Sequence, residues 1–472
     1  MFSKRAALAI LAAIGASATA HADVTISPAA TENMTCMAGV CFPTATDAVL
    51  NVSDLETLLA SGNVTVTTTG SGVQANNITI AAPLTWPSPN TLALDAYKSV
   101  TIDKHVSVGG SGGLTITTND GGTGGMLSFG PRGWVKFANL TSQLVIDGAG
   151  YMLVSSIQLL ANAVAANPGG NFALARDYDA RPDGVYTNPV VTPFSGNFQG
   201  LGNSIAHLKI KNRSAEFGAG LFSEISGAVE NLTLRRVQIN GEKRFENVGG
   251  IVAYSNNGLL YGVHVDGTIA GIADSLTGGI VGQNNGTIRN SSSAATILGG
   301  EGADCGGVAG YNIGTVDQSF ASGAVGWHKG CQFAGGLLGF HDGGTVSNSY
   351  ATGGVFAGLY ENDAGGLIGE DMQYSSGEVS TSYSTGSVQP ANYQGGFIGY
   401  LETGDLDDCN WDKTTSGTRS GTGNFGNVPN ITGMTSKKLR SALPAGFDPA
   451  IWSQDKKINN GFPYLIANPP AD

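Results

Sequence analysis

GGIVGQNNGTI at residues 278–288 and GGVAGYNIGTV at residues 306–316 are two copies of one pattern, and this pattern decides the fold. Further copies begin at residues 249, 335, 365 and 395, and a degenerate copy begins at Ala219. Successive copies start 30, 29, 28, 29, 30 and 30 residues apart. A near-constant period of this length is typical of stacked repeat architectures. The glycine pairs that mark the copies are Gly249, Gly250, Gly278, Gly279, Gly306, Gly307, Gly335, Gly336, Gly365, Gly366, Gly395 and Gly396.

The repeat predicts an all-β fold, a right-handed parallel β-helix. Each period has room for three short strands and three turns. Helical repeats are disfavoured, because glycine costs about 1 kcal/mol at an interior helix position and the abundant Val, Ile, Thr and Tyr favour strands. One period is therefore one coil, stacked about 4.8 Å from the next. We expect the double glycines to allow sharp corners, through backbone angles that a side chain obstructs, and close approach of neighbouring coils.

Equivalent positions of the copies carry equivalent side chains, which sets the expected register. An aliphatic column predicts an inward-facing row of side chains, and two residues further along a small polar column predicts side chains that bond between rungs or cap turns. Two residues beyond that, an aromatic column predicts stacked rings. We interpret these rings as core packing in preference to a platform for a ligand. The columns are Val229, Leu260, Ile288, Val316, Val346, Val379 and Leu406; then Asn231, Gly262, Asn290, Gln318, Asn348, Thr381 and Asp408; then Phe320, Tyr350 and Tyr383.

The first residues and the composition predict an exported protein. Lys4 and Arg5 precede a short apolar run and an A-x-A site that ends at Ala22, the layout of a secretory signal peptide. The net charge is −12, and removing residues 1–22 with their two cations makes it −14. The net negative charge predicts no nucleic-acid partner and disfavours an anionic membrane surface, because binding to either depends on clustered Lys and Arg. No later segment is long and apolar enough to cross a bilayer.

Outside the repeat, the sequence predicts further coils, a helix and a cap. We expect a signal peptide at 1–22, an N-terminal cap segment at 23–47, irregular coils at 48–150, a short helix with lead-in coils at 151–215, the repeat β-helix at 216–411, and a linker with a C-terminal cap at 412–472. The helix is expected within 155–165, which has a hydroxyl cap and helical apolar spacing. The apolar groups of the tail are expected to cover the last rung. The alternative is a carbohydrate-binding patch on Trp452 and Tyr464.

Five cysteines are few for 472 residues, and export permits disulfides. Two pairs fit the chain, Cys36 with Cys41 and Cys305 with Cys331, which leaves Cys409 unpaired. Sequence alone leaves this connectivity open. No metal site is expected, because neither C-x-x-C nor a Cys/His metal spacing occurs.

The repeat resembles a known family. The repeat unit resembles the GLUG repeat of bacterial surface and exported proteins. It consists of GG-apolar-apolar-G followed by GTI at 286–288, or by GTV at 314–316 and 344–346. PFSGNFQGLGNSI at 193–205 resembles the segment that introduces such repeats, and the region 92–137 is similar to filamentous haemagglutinin-type proteins. The resemblance implies a β-helical exoprotein, often an adhesin, at the cell surface or secreted. Release into the periplasm or the medium fits equally, because neither a membrane barrel nor a wall-sorting signal is apparent.

The sequence predicts no active site and no cofactor. Some GLUG-bearing proteins are zinc peptidases, but His-Glu-x-x-His is absent, as are a Gly-x-Ser-x-Gly elbow with its partners and a P-loop. The enzyme alternative is a polysaccharide lyase or glycoside hydrolase, whose carboxylates lie about 5 to 9.5 Å apart. Its candidate residues are Asp363, Glu370 and Asp371 on one rung and Asp405, Asp407 and Asp408 on the next. The run 405–408 fits neither an EF-hand loop nor a nonapeptide calcium repeat, which leaves calcium binding there open.

These observations predict an adhesin-like surface or scaffold protein, and not an enzyme. Its long repetitive face would bind glycans or other molecules of host or bacterial surfaces. A purely structural matrix component is the remaining alternative. Neither composition nor spacing names the ligand, since fold alone does not specify function.

Overall fold

The computed structural model describes residues 23–214, 218–326, 330–358, 362–372, 377–389 and 391–470. The predicted signal peptide lies outside these residues. The described chain forms a parallel β-solenoid of about 12 turns with few helices, so the predicted fold class is confirmed. None of its described helices is long and apolar enough to span a membrane.

One sheet, here called the spine sheet, runs along the whole molecule. Its strands are Met34–Met37, Val40–Pro43, Val64–Thr67, Thr91–Asp95, Gly113–Thr117, Leu144–Ile146, Ala149–Val154, Asn171–Leu174, Asn197–Gln199, Ala228–Glu230, Leu259–Tyr261, Thr287–Arg289, Thr315–Asp317, Gly344–Ser347, Gly377–Ser380 and Asp405–Asp407.

Residues 23–146, the N-terminal solenoid, complete their coils with two other sheets. The strands of one are Asp23–Ser27, Ala48–Asn51, Asn77–Ile80, Val100–Ile102 and Leu127–Phe129. Those of the other are Leu84–Trp86, Val106–Val108 and Val135–Phe137. A small hairpin, Thr69–Gly70 with Val73–Gln74, projects from the coils.

Residues 149–434, the C-terminal solenoid, contain the repeat. Their second sheet consists of Tyr178–Asp179, Ser204–Ala206, Lys209–Asn212, Thr233–Gly241, His264–Ala270, Ser292–Ser293, Thr296–Leu298, Phe320–Ala321, Tyr350–Ala351, Tyr383–Ser384, Cys409–Asp412 and Ile431–Met434. The third sheet consists of Phe222–Ile225, Val252–Ser255, Val281–Asn284, Ala309–Asn312, Leu338–His341, Ile368–Asp371 and Ile398–Leu401. The fourth consists of Asn247–Gly249, Leu276–Gly278, Asp304–Gly306, Phe333–Gly335, Asp363–Gly365 and Tyr393–Gly395.

The predicted aliphatic column is confirmed. Ile288 pairs with Val316 and Val316 with Val346 in parallel register on the spine sheet, and all three side chains are fully buried. The polar column two residues further lies at turns, in line with one of its two expected roles, but its left-handed backbone was not anticipated. Every member from Asn231 to Asp408 has a positive φ, between 43° and 60°. Asn, Asp and Gly tolerate this conformation best, so the column marks a repeated left-handed turn.

Two details differ from the expected coil. In the described regular coils the chain forms four strands, not three, because the Gly-Gly turn separates a fourth-sheet strand from a third-sheet strand. The glycines of the pairs also lack positive φ, so the expected special backbone angle is wrong. The other expected role, close approach of neighbouring coils, is the one that the structure shows. A Cβ on Gly336 would lie 2.2 Å from the carbonyl oxygen of Gly366 and 2.8 Å from Cβ of Ala351.

The helices lie against the solenoid. The expected flanking helix is Ile157–Ala166, and the Ser156 hydroxyl accepts from the backbone N–H of Leu159 at 3.1 Å, as a hydroxyl cap should. A second helix, Val52–Ser61, was not anticipated; Asn51 caps it and Leu55 and Leu59, four residues apart, are buried. The short helix Ser436–Leu439 and the 3₁₀ turns Arg181–Asp183 and Asn459–Gly461 complete the helical segments of the described chain.

The two solenoids meet at a tight hairpin. Leu144–Ile146 pairs antiparallel with Ala149–Val154, and the intervening Asp147 and Gly148 have φ of 47° and 77°, as a type I′ turn requires. Strand direction along the spine sheet therefore reverses here. The buried side of the sheet changes as well, since Leu153 packs in the core of the N-terminal solenoid whereas Val154 packs in that of the C-terminal one. Because both changes occur together, both solenoids wind in the same sense.

The tail closes the end and then folds back along the side. Trp411 and Ile431 lie in the core at the last coil. Beyond them, a hairpin of Trp452–Ser453 and Tyr464–Leu465 packs on the aromatic column Phe320, Tyr350 and Tyr383, whose rings stack with centroids 4.8 and 5.0 Å apart. Asn468 Nδ2 donates to the carbonyl oxygen of Ser291 at 3.0 Å, several coils back. The aromatic column is thus covered, which makes it packing.

Candidate functional site

Two adjacent columns of side chains, most of them partly exposed, line the side of the C-terminal solenoid where the third and fourth sheets meet; Asp363 and Glu370 are the buried members. Glycines bring these sheets into backbone contact: a Cβ on Gly310 would lie 2.4 Å from the backbone N of Thr277, and one on Gly339 would lie 2.6 Å from the backbone N of Cys305. Side chains beside these glycines therefore share one surface, here called the acid–aromatic face. Its third-sheet column is Tyr254, Gln283, Tyr311, Phe340, Glu370 and Tyr400, and its fourth-sheet column is Asn247, Leu276, Asp304, Phe333, Asp363 and Tyr393.

The rings of this face contact one another within and across the columns. Tyr311 stacks on Phe340 with centroids 5.4 Å apart and planes 5° apart. Phe333 meets Phe340 at 5.5 Å across the columns, and Tyr393 meets Tyr400 edge-on at 5.0 Å. All five are partly exposed. The rings therefore form two groups, Tyr311 with Phe333 and Phe340, and Tyr393 with Tyr400, on either side of the rung that carries Asp363 and Glu370.

Carboxyl groups interleave with the rings, and burial raises their pKa values. Burial, and then the charge of Glu370, raises the pKa of Asp304 to about 8. Burial raises the pKa of Asp363 to about 7, against a backbone hydrogen bond with Tyr393 that lowers it. Burial, and then the charges of Asp363 and Glu402, raises the pKa of Glu370 to about 7. Near neutral pH these groups are therefore partly uncharged and can donate hydrogen bonds.

The face combines two kinds of contact that suit a polar ligand with apolar surfaces. The rings offer stacking area, and the protonated carboxyl groups donate to hydroxyl or carbonyl oxygens. Tyr311 is fixed in place because its hydroxyl donates to Asp342 Oδ2 at 2.6 Å. Burial and this carboxylate raise the pKa of Tyr311 well above its usual value, so its hydroxyl stays protonated.

The carboxylates singled out in the sequence separate into three places. Asp363 and Glu370 are together on the acid–aromatic face. Asp371 is fully buried and lies in register with His341 inside the coil. Asp405 and Asp407 are on the spine sheet and Asp408 follows at the left-handed turn, so adjacent rungs do not bring the two sets together as expected.

The rings of the face and Asp304 were missed by sequence reasoning. The signal was available, because these residues recur at fixed positions beside each Gly-Gly pair. Their alternation of Tyr, Phe, Asp and Glu hides the column from a search for identical residues. The described residues contain no group of three His, Cys, Asp or Glu placed to hold a metal ion.

The structure joins the cysteines in two pairs. Cys36 is bonded to Cys41 across a hairpin, and Cys305 to Cys331 within the core of the C-terminal solenoid. Cys409 is free and buried, and burial raises the pKa of its thiol to about 12.

Comparison with known proteins relates part of this chain to peptidases. Residues 153–267, about a quarter of the chain, match the family model described as the N-terminal region of M26 IgA1-specific metallo-endopeptidases. Halomucin from Haloquadratum walsbyi is 34% identical over 134 residues, which are 28% of this chain and 1% of halomucin. A candidate immunoglobulin A1 protease from Bacteroides ovatus aligns over 68% of this chain and 92% of its own, with 15% identity and a TM-score of 0.39.

These matches correct the functional expectation. The expectation that the chain is not an enzyme is wrong, because residues 153–267 match a region of a metallo-endopeptidase family. The matched family also differs from the GLUG and haemagglutinin types that the sequence suggested, for which the comparisons give no support. The chain spans only a small fraction of halomucin. What it shares with known proteins is thus a region similar to the N-terminal part of IgA1-specific metallo-endopeptidases.

Proposed function

We propose that this protein is an exported β-solenoid that binds glycan-bearing proteins through its acid–aromatic face, as the recognition part of a peptidase-related surface or secreted protein. The observation that carries the proposal is the pair of partly exposed ring groups, with carboxyl groups of raised pKa beside and between them. Five rung spacings separate the outermost coils of this face, about 24 Å. That length suits an extended ligand.

Two further observations support this role. The predicted signal peptide favours export, and an adhesin-like function fits a repetitive exposed surface. The match to a metallo-endopeptidase N-terminal region favours a solenoid that works alongside proteolysis. Immunoglobulin A1 therefore leads the ligand candidates, because the matched family is described as IgA1-specific, and mucin is tested beside it as a second glycan-bearing protein.

The test measures binding of the chain from Asp23 onward to immobilised IgA1 and mucin, before and after enzymatic removal of their glycans. We expect binding that falls on deglycosylation. Tyr311→Ala and Phe340→Ala should each weaken it about tenfold, since one ring contact contributes roughly 1 kcal/mol or more. Tyr97→Ala is the matched control, because Tyr97 is a partly exposed ring of the N-terminal solenoid. Equal binding by all three variants, or none by the parent chain, would refute the proposal.

A proteolytic function is the second candidate, favoured by the family match. The same mixtures are incubated and analysed by electrophoresis for fragments of IgA1. Cleavage that persists in Tyr311→Ala at saturating substrate would separate a recognition role for the face from a catalytic one. A parallel incubation with acidic polysaccharides tests the lyase or hydrolase alternative through loss of polymer length.

A further inference from the structure

A second polar site lies away from the acid–aromatic face, where the two solenoids meet. This seam pocket has a volume of about 300 Å³, at the lower end of the range for ligand sites. One wall comes from Asn119 of the N-terminal solenoid and Asp147 of the connecting turn, and the other from the spine sheet of the C-terminal solenoid through Asn197, Gln199 and Glu230. Tyr151 contributes from the first strand after the hairpin. Pockets between structural units are frequent binding sites.

The polar groups of the seam pocket are held in place by the fold. Asp147 accepts from the backbone N–H of Thr118 at 2.7 Å, and Glu230 Oε2 accepts from Gln199 Nε2 at 2.6 Å. Asn231 in turn donates to Gln199 Oε1 at 3.1 Å, which fixes the direction of that amide. The carboxylates are therefore preorganised, and binding a ligand requires little rearrangement.

The three ionisable groups of the pocket act on one another. Burial, then the charges of Glu230 and Asp147, raises the pKa of Tyr151 to about 12. Burial, and also the charge of Asp147, raises the pKa of Glu230 to about 7, against the hydrogen bond from Gln199. On the next rung, burial and the charge of Glu230 raise the pKa of Tyr261. On the rung after that, Arg289 forms an ion pair with Asp317.

The chemistry of the lining selects the charge of the ligand. The residues that line the seam pocket, all within the described chain, include two carboxylates and no Lys, Arg or His. Amide and hydroxyl oxygens supply further acceptors. Met126, Leu127 and Ile146 give it apolar walls. An anion would meet unfavourable potential here, whereas an ammonium group gains both charge pairing and acceptors.

We propose that the seam pocket binds a primary ammonium group, carried by an amino sugar or by a lysine side chain. Its carboxylates Asp147 and Glu230 pair with the cation, and the amides of Asn197 and Gln199 orient the rest of the ligand. This site does not depend on the function proposed for the acid–aromatic face. Binding the cation favours the ionised form of Glu230, so affinity increases as pH rises through about 7.

The experiment is calorimetric titration of the chain with Nα-acetyl-lysine amide and with glucosamine. Nα,Nε-diacetyl-lysine amide and N-acetylglucosamine, which lack the charge, are the matched ligand controls. We expect the charged member of at least one pair to bind and its acetylated counterpart not to bind. The lysine probe stays protonated up to a pH of about 10, so its affinity between pH 6 and 8 reports the protein group. Equal binding of charged and acetylated ligands, or binding of neither charged probe, overturns the proposal.

Protein variants locate the site. Glu230→Gln, nearly identical in shape, should weaken binding roughly tenfold and remove the increase with pH, and Asp147→Asn should weaken it without removing that increase. Glu378→Gln is the control, because Glu378 is exposed on the same spine sheet far from the pocket. Thermal unfolding checks that each variant folds. Unchanged affinity and pH dependence in folded Glu230→Gln would rule the site out.

Discussion

Gly307→Ala tests the reason for the repeated glycine pair. A Cβ at this position would lie 2.2 Å from the carbonyl oxygen of Gly336 and 2.4 Å from Cβ of Ala321. Carbon atoms in contact prefer about 3.5–4.0 Å, so the neighbouring coil must move by about 1 Å. That coil is held by a 2.8 Å hydrogen bond from the Val308 N–H to the Leu337 carbonyl. Overpacking costs roughly 1–3 kcal/mol and a weakened backbone bond about 1 kcal/mol, so we expect a loss near 3 kcal/mol.

Urea unfolding followed by circular dichroism measures this loss. Gly150→Ala is the control, because Gly150 has ordinary φ and a Cβ there would meet nothing within 4 Å; its effect should stay within about 0.5 kcal/mol. Adding Ala321→Gly to Gly307→Ala removes one of the two clashes and should recover part of the loss, with a coupling of about 1 kcal/mol. A loss below about 1 kcal/mol for Gly307→Ala would refute the crowding argument.

Three other outcomes are expected. The pKa of Asp304 is raised from 3.8 to about 8 in the folded state, so its contribution to stability is complete below pH 3.8 and is lost as pH rises through 8. The free energy of unfolding should therefore fall between pH 5 and 8. Asp304→Asn should flatten this fall. Replacing the Cys305–Cys331 disulfide by two serines should cost about 2–4 kcal/mol, whereas Cys409, buried with a raised pKa, should react with thiol reagents only after unfolding. Deleting 435–472 should expose the aromatic column and produce binding of a hydrophobic dye, where an unchanged dye signal would contradict the covering role of the tail.

The pH dependence has consequences for both proposed sites. The acid–aromatic face donates hydrogen bonds only while its carboxyl groups are protonated, so its binding should weaken as pH rises above 7. The seam pocket behaves in the opposite way, because it binds a cation with an ionised Glu230. A single ligand panel measured at pH 6 and pH 8 therefore distinguishes the two sites without any substitution.

The repeated contacts could be predicted from the sequence because each coil contacts its neighbours one period away. Ile288 over Val316 and the stacked rings of Tyr350 and Tyr383 follow from the period alone. The flanking helix follows from local capping and apolar spacing. Such features depend on residues whose spacing in the sequence is regular, either one coil period or the apolar spacing of a helix.

The reversal between the solenoids and its pocket could not be predicted in the same way. The Asp147-Gly148 pair predicts a hairpin, yet it does not indicate which side of the spine sheet the following strands bury. Asp147 lies in the turn between the solenoids and Glu230 lies in the C-terminal solenoid, far away in sequence, and only the packing at the junction brings them to one pocket.

The amino-acid sequence by itself determined that this chain coils, how many residues each coil takes, and which side chains stack inside, because period and chemistry repeat together. The tertiary structure decided where the sheets fold against each other, which rings stay exposed and which the tail covers. The physical reason is that stacking within the solenoid is a nearest-neighbour interaction that the period predicts, whereas the seam pocket and the cover over the aromatic column depend on contacts between segments far apart in sequence, which no local spacing relates.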